Sequence, residues 1–154
     1  MDNLIYITAG GIALGVVGFL IWKNNNSKND PESKNVSELE QIDNSCIDVD
    51  SNFIIIDELT YEMLLKWLRE QAKQNIAEPG SQFVIMQHPV AKQIFLEAYP
   101  NQQFNCKDCS LLCTAIMKNN EVLSSHFFCY KVLADSLKDI LPEDDNKAYV
   151  QNLN

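Results

Sequence analysis

Four cysteines and one histidine lie between positions 106 and 129, and these side chains are the ones best suited to chemistry: Cys106, Cys109, Cys113, His126 and Cys129. Cys106-x2-Cys109 is followed by His126-x2-Cys129, and two such pairs are typical of the ligand spacing of structural zinc sites. Zn²⁺ takes thiolate sulfur and imidazole nitrogen in a tetrahedron. The spacing therefore makes Cys106, Cys109, His126 and Cys129 a candidate zinc site.

The same residues also have simpler interpretations. The second pair encloses Phe127-Phe128, whereas the knuckles of zinc ribbons usually carry small or turn-forming residues. In a hairpin with a two-residue turn, Cys113 would face His126, and Cys129 would point to the other side of the sheet. We therefore expect reduced thiols packed in the core, with an iron–sulfur site the least favoured alternative. Disulfides become an option if this region faces an oxidising compartment.

Cysteine catalysis would need a histidine base near a thiol, and the chain has only His88 and His126. His88 precedes Pro89, which is typical of a turn, and His126 lies among apolar residues typical of a strand. Gly80 is the only glycine after residue 22, so no glycine-rich loop is available to bind phosphate. These observations predict no catalytic residues and no cofactor apart from the candidate zinc.

The charge of the chain narrows the choice of partners. The formal net charge is −9, and Arg69 is the only arginine. Nucleic-acid binding depends on clustered Lys and Arg, so a nucleic-acid partner is not expected. An acidic surface instead suits a basic protein partner or simple solubility.

The segment from Leu4 to Trp22 contains no charged residue and holds four of the five glycines. As a helix it would be about 28 Å long, close to the thickness of the hydrocarbon core of a bilayer. A cleavable signal peptide is disfavoured, since no Lys or Arg precedes the segment and no A-x-A site follows it. A buried core helix is the remaining alternative. The segment predicts a single transmembrane helix over residues 4–22.

Lysines on only one side of this segment predict its orientation. Lys23, Lys28 and Lys34 follow it, and no Lys or Arg precedes it. By the positive-inside rule, the N-terminus lies outside and the rest of the protein lies in the cytoplasm. The expected location is the cell membrane, with the bilayer as one partner.

Three glycines could form one face of that helix. Gly11, Gly15 and Gly18 are spaced by four and three residues, so a second helix could approach them closely. The spacing predicts a helix-packing stripe and possible self-association. The alternative is that glycine is simply common in transmembrane helices.

The rest of the chain divides by composition. Residues 1–3 form a short tail, and residues 23–51 are polar and acidic, which predicts a flexible linker. Residues 52–141 alternate between strand and helix patterns and predict a small soluble domain. Residues 142–154 are predicted to be an acidic polar tail.

Within the domain, patterning predicts the order β-α-β-α-β-β-α. Trp67 is expected to pack its helix on the first strand, at residues 53–56. Asn119-Asn120 predicts a hairpin turn, and the alternative is one long helix over residues 122–141. The predicted elements are strands 53–56, 82–86, 111–118 and 121–130, and helices 61–75, 89–98 and 132–141.

This order predicts an α+β fold and resembles the thioredoxin-like topology, with the turn Lys118-Asn119-Asn120-Glu121-Val122 at the position of that fold's hairpin. The strand-helix-strand order itself favours parallel pairing of sequential strands, with the hairpin adding antiparallel strands. The resemblance does not extend to the redox chemistry, because Asp57-Glu58-Leu59-Thr60 stands where the Cys-x-x-Cys belongs. Ser110 also stands where that fold carries a proline.

The sequence as a whole predicts a single-pass membrane-anchored protein with a small cytosolic domain. A non-enzymatic domain is favoured, and an enzyme with dispersed catalytic residues is the less favoured alternative. Its expected role is to interact with another protein as an adaptor or regulator. The alternative is a degenerate redox or zinc-binding module built on residues 106–129. The Asn- and Lys-rich composition indicates a bacterial source.

Overall fold

The computed structural model describes residues 5–27, 54–104 and 106–154. In these residues, six strands form one mixed sheet of order β1-β6-β3-β4-β5-β2. Five of the strands lie within residues 55–152, and the fold class is α+β as predicted. The elements are β1 (Ile5–Thr8), α1 (Ala9–Ser27), β2 (Ile55–Leu59), α2 (Tyr61–Lys73), β3 (Gln82–Met86), α3 (Val90–Ala98), β4 (Ser110–Lys118), β5 (Glu121–Leu133), α4 (Asp135–Lys138) and β6 (Lys147–Asn152).

The β4–β5 hairpin confirms the prediction made from Asn119-Asn120. Both residues have positive φ, 52° and 66°, a backbone conformation that asparagine tolerates better than most residues. Lys118 pairs with Glu121 across the turn, and the ladder continues to Ser110 and Tyr130. The alternative of one long helix is therefore wrong. The predicted final helix is also shorter, because β5 continues to Leu133 and α4 spans only four residues.

The predicted parallel pairing of the first two strands of the domain is wrong. β2 pairs in parallel with β5, whereas β3 pairs antiparallel with β4 and β6. The hairpin thus lies between β2 and β3, which differs from the thioredoxin-like arrangement. β5 pairs with β4 along one edge and with β2 along the other, so Cys129 and Tyr130 have partners on both sides. The physical reason is that the free edge of the hairpin next to β2 belongs to β5 and not to β3.

Helices cover both faces of the sheet. Alternate residues of β3 point to opposite sides, with Phe83 and Ile85 in one buried cluster and Val84 and Met86 in the other. We call the first side the α2 face, because α2 and α4 pack on it, and the second side the α1 face, because α1 and α3 pack there. The buried apolar helix residues are Leu64 and Leu137 on the α2 face, and Ile12, Val16, Leu20, Ala91, Ile94, Phe95 and Ala98 on the α1 face.

Helix α2 follows from local sequence. The side chain of Thr60 accepts a hydrogen bond from the backbone N–H of Met63 at 3.4 Å and caps the first turn. Trp67 is only partly buried, and its ring lies 6.3 Å from the ring of Phe83 on β3. Trp67 thus contacts the central strand β3, and it packs against the buried cluster of the α2 face, which also contains Leu59 of β2.

The predicted polar tail 142–154 is wrong, because β6 lies inside the sheet between β1 and β3. Val150 pairs with Val84, and Ala148, Tyr149 and Val150 are all buried. The backbone of Leu153 exchanges hydrogen bonds with Ser81 and Gly80, which ties the end of the strand to the turn before β3. β6 contains only three apolar residues, and the residues around it are mostly acidic or amide side chains. This composition is the reason why the strand was predicted to be a polar tail.

The predicted helix 4–22 has different ends in the structure. Residues 5–8 form β1, which pairs antiparallel with β6, and the helix begins at Ala9 and continues to Ser27. Ile12, Val16 and Leu20 are buried against the sheet. Among the described residues, the structure contains no helix with the length and apolarity needed to cross a membrane. Most of the predicted linker, residues 28–51, lies outside the described residues.

Candidate functional site

A β-bulge decides which way the cysteines and His126 point. The register of the hairpin shifts by one residue between Ile116 and Met117, so that Ile116 pairs with Ser124. As a result Cys113 faces Phe127 instead of the predicted His126. Because neighbouring residues of a strand alternate between faces, the shift places Cys113 and Cys129 together on the α1 face.

The four predicted zinc ligands do not meet. His126 packs on the α2 face, whereas Cys129 belongs to the buried cluster of the α1 face. Cys106 and Cys109 are joined to each other by a disulfide, with their Cα atoms 5.5 Å apart. The described part of the chain contains no group of three or more His, Cys, Asp or Glu side chains placed to hold a metal ion.

The aromatic surroundings of His126 give it a packing role. Its ring stacks on Trp67 with the centroids 6.1 Å apart, and it meets the edge of Phe128 at 4.7 Å. Partial burial lowers the pKa of His126, Lys23 lowers it further, and Glu70 acts in the opposite direction. The imidazole is therefore neutral at neutral pH.

The disulfide lies in the cysteine loop, residues 106–109, directly before β4. Reduced thiols were expected for both cysteines, and that expectation is not met. The two sulfurs have unequal surroundings: Cys109 is 8% exposed in the core of the α1 face, whereas Cys106 is only partly buried at its margin. Lys107 and Asp108 between them are exposed.

His88 lies at the same end of the sheet as the cysteine loop. Because β3 and β4 are antiparallel, with Met86 paired to Cys113, the residues after β3 and before β4 are neighbours. His88 Nδ1 accepts a hydrogen bond from the backbone N–H of Leu111 at 3.3 Å, which leaves the proton of a neutral ring on Nε2. The ring lies 6.3 Å from that of Phe104, just before the loop.

Charged groups of both signs surround this end of the sheet. Desolvation by burial lowers the pKa of His88, the positive charge of Lys92 adds to this, and Asp145 opposes it. The Lys92 ammonium also lies 5.8 Å from the centroid of the Phe104 ring. The arrangement therefore combines a disulfide, an aromatic ring and a neutral imidazole N–H donor.

The remaining thiols on this face are shielded from reagents. Cys113 is fully buried, and burial raises the pKa of its thiol above the ordinary value. Cys129 is 1% exposed. A buried, protonated thiol is a poor nucleophile. Among the described cysteines, Cys106 is the most accessible, because the other three are buried.

The structure describes the surroundings of two of the three glycines in the predicted helix-packing stripe. A Cβ at Gly15 would meet Val122 of β5 at 3.6 Å, an ordinary contact, and a Cβ at Gly18 would meet nothing within 4 Å. The surroundings of Gly11 lie outside the described side chains. Packing of a second helix against Gly11, Gly15 and Gly18 stays a prediction.

Sequence reasoning missed that His88 lies at the same end of the sheet as the cysteine loop. The available signal was His88-Pro89 after one strand and Cys106-x2-Cys109 before the next, which an antiparallel pairing brings to one end of the sheet. A comparison with known protein families, curated proteins and solved structures finds no match to this chain.

Proposed function

We propose that this chain is a single-pass membrane-anchored protein whose small cytosolic domain binds another protein and is not an enzyme. The observation that carries the proposal is the uncharged segment Leu4–Trp22, which is long enough to reach across the hydrocarbon core of a bilayer. The cell membrane of a bacterium is the proposed location.

Helix α1 exposes apolar side chains that the sheet does not cover, and this supports a membrane environment for the segment. Ile12, Val16 and Leu20 are covered by the sheet, but Ile21 and Trp22 remain 42% and 61% exposed. A sheet covers one side of a helix, whereas a bilayer covers every side. Transfer of α1 into lipid would therefore bury these exposed side chains as well, and we propose that the segment makes this transfer when a membrane is present.

The polar end of α1 supports the proposed orientation. Lys23 is exposed directly after Trp22, and aromatic and basic residues favour the membrane–water interface. Lys28 and Lys34 add positive charge on the same side, so the domain is placed in the cytoplasm. Cys46 lies between the segment and the domain and is a natural reporter of this orientation.

The proposed partner of the domain is a basic protein. The net charge of −9 attracts such a surface over the range of a Debye length. Transfer of α1 into lipid would also leave the part of the α1 face near Val122 open to a partner. Self-association through Gly11, Gly15 and Gly18 would bring two such domains together.

The test is Gly18→Asp in the full chain, measured by flotation with phospholipid vesicles. A Cβ at Gly18 meets nothing in the structure, so the substitution is tolerated when α1 packs on the sheet. An aspartate costs about 2.5–3.5 kcal/mol at the centre of a transmembrane helix and less nearer its ends, and Gly18 lies between the midpoint and the C-terminal end of the segment. We expect vesicle binding to fall by at least about tenfold.

Gly18→Ala is the matched control, because it changes the same position without adding charge, and it should float like the unsubstituted chain. Equal flotation of the aspartate variant, or an unsubstituted chain that stays out of the vesicle fraction, would overturn the anchor. Labelling of Cys46 in sealed cells by a membrane-impermeant maleimide would overturn the orientation alone.

A further inference from the structure

The cysteine loop has the asymmetry that thiol–disulfide exchange requires. Attack on a disulfide needs one sulfur that a thiolate can reach and a second sulfur that can leave. Cys106 is partly exposed at the margin of the core, and Cys109 is 8% exposed within it. The two are separated by only Lys107 and Asp108, so they stay close enough to re-form the bond after reduction.

Aromatic and charged side chains lie beside the start of the loop. Phe104 lies before the loop, and its ring is flanked by His88 and by the ammonium of Lys92. The loop itself carries one exposed charge of each sign, on Lys107 and Asp108. The other described thiols, Cys113 and Cys129, are buried and cannot compete.

We infer that Cys106–Cys109 is a reversible thiol–disulfide exchange site, with Cys106 the attacked sulfur, and that its substrates are cysteine thiols of a small molecule or of a protein. The exchange chemistry uses no residue of the proposed membrane anchor, and only its reducing surroundings rest on the proposed cytosolic orientation. It also goes beyond the proposed interaction role, because it makes the domain responsive to the redox state of its surroundings.

The exchange proceeds in two balanced steps. A substrate thiolate attacks Cys106 Sγ, the Cys106–Cys109 bond breaks, and the electron pair leaves on Cys109 Sγ, which takes a proton from water. A second substrate thiolate then attacks the substrate sulfur of the mixed disulfide and releases Cys106 as a thiolate. Two substrate thiols are oxidised to one disulfide, and the protein disulfide is reduced to two thiols.

A reversible pair also fits the proposed location. Disulfides in reducing compartments are usually transient, and they act in catalysis or redox sensing. The loop lies before β4 and outside the sheet, and its bond closes only a short segment. The paired residues of β4 begin at Ser110, so neither cysteine of the disulfide belongs to the β4–β5 ladder.

The test equilibrates the full chain, in a Cys46→Ser background, with glutathione buffers of increasing oxidised fraction. After an acid quench and denaturation, a mass-tagged maleimide labels the thiols, and peptide mapping locates the labels. We expect Cys106 and Cys109 to lose their labels together as the buffer becomes oxidising. Cys113 should keep its label throughout and is the internal control.

Two single variants test the asymmetry. Cys109→Ser leaves the accessible Cys106, and Cys106→Ser leaves the buried Cys109. We expect the first to form a mixed disulfide with oxidised glutathione at least about tenfold faster, because access limits the rate. A synthetic peptide with two cysteines serves as the second substrate, and faster exchange with the peptide than with glutathione assigns a protein substrate.

Three results would overturn the inference. The pair could resist reduction until the chain unfolds, which is the behaviour of a structural disulfide. Both cysteines could remain thiols in the most oxidising buffer. The two variants could also react at equal rates, which would remove the assigned role of Cys106.

Discussion

Helices α1 and α2 cover opposite faces of the same sheet, but they offer very different surfaces to it. Helix α2 is amphipathic, with Leu64 fully buried and charged residues such as Glu62 and Lys66 exposed. Helix α1 carries no charge before Lys23, and apolar residues lie on all of its sides. The pattern of α2 therefore specifies which side must be covered, and the pattern of α1 does not.

The difference between α1 and α2 shows when an apolar pattern determines the surface against which a helix packs. One apolar stripe on a polar helix has a single way to be buried, and this makes the α2 contact predictable. A helix that is apolar all round gains free energy from any apolar surroundings, so the sheet and the bilayer compete for it. Substitutions on the two helices should therefore respond differently to lipid.

The largest effect is expected for Leu64→Ala on α2. Leu64 is fully buried, and the cavity plus the lost transfer free energy should lower the free energy of unfolding by about 2–5 kcal/mol. Urea denaturation of the full chain measures this loss, with and without vesicles. Met63→Ala, at a neighbouring residue that is 40% exposed, should change the stability by less than about 0.5 kcal/mol.

A smaller and lipid-dependent effect is expected for Val16→Ala on α1. Val16 is fully buried against the sheet, so without lipid the loss should be about 1–3 kcal/mol. With vesicles the segment leaves the sheet, and the same substitution should cost the domain almost nothing. An equal loss in both media would show that α1 stays on the sheet, and the proposed contrast with Leu64 would fail.

The smallest effect concerns pH. Both His88 and His126 have pKa values below the ordinary value, chiefly through desolvation. The unfolded chain then binds more protons than the folded chain, so stability should fall as pH drops below about 6.5 toward the lowered folded-state values. Thermal unfolding between about pH 7 and pH 5 measures the slope, and His126→Gln should flatten it.

Glu70→Gln provides the matched control for this pH experiment. Removal of the Glu70 charge takes away an influence that raises the pKa of His126, so that pKa should fall further. An NMR titration of the imidazole protons reports this shift directly. A rise in the pKa of His126 in this variant would contradict the assigned environment.

Local signals explain why much of the domain was predictable. The hairpin depends on two asparagines that tolerate positive φ, and both lie at the turn as expected. The second strand was predicted over the residues that form β3, and helices α2 and α3 lie within a few residues of their predicted bounds. The type and position of each of these elements depend on residues that are close together in the sequence.

Long-range packing explains what was missed. The pairing of β2 with β5, and the burial of β6 inside the sheet, depend on residues far apart in the chain. The same holds for the candidate site, because the bulge near Met117 decides that Cys113 and His126 point to different faces. Without the bulge, the predicted register would have placed Cys113 opposite His126.

The sequence by itself determined the turn at Asn119-Asn120, the amphipathic face of α2 and the absence of charge in the segment Leu4–Trp22, because backbone preference and residue polarity act locally. Only the tertiary structure decided which strands are neighbours, which face each cysteine joins and that His88 lies at the same end of the sheet as the cysteine loop. The physical reason is that register and strand order depend on the simultaneous burial of both sheet faces, a condition that no single segment of the chain contains.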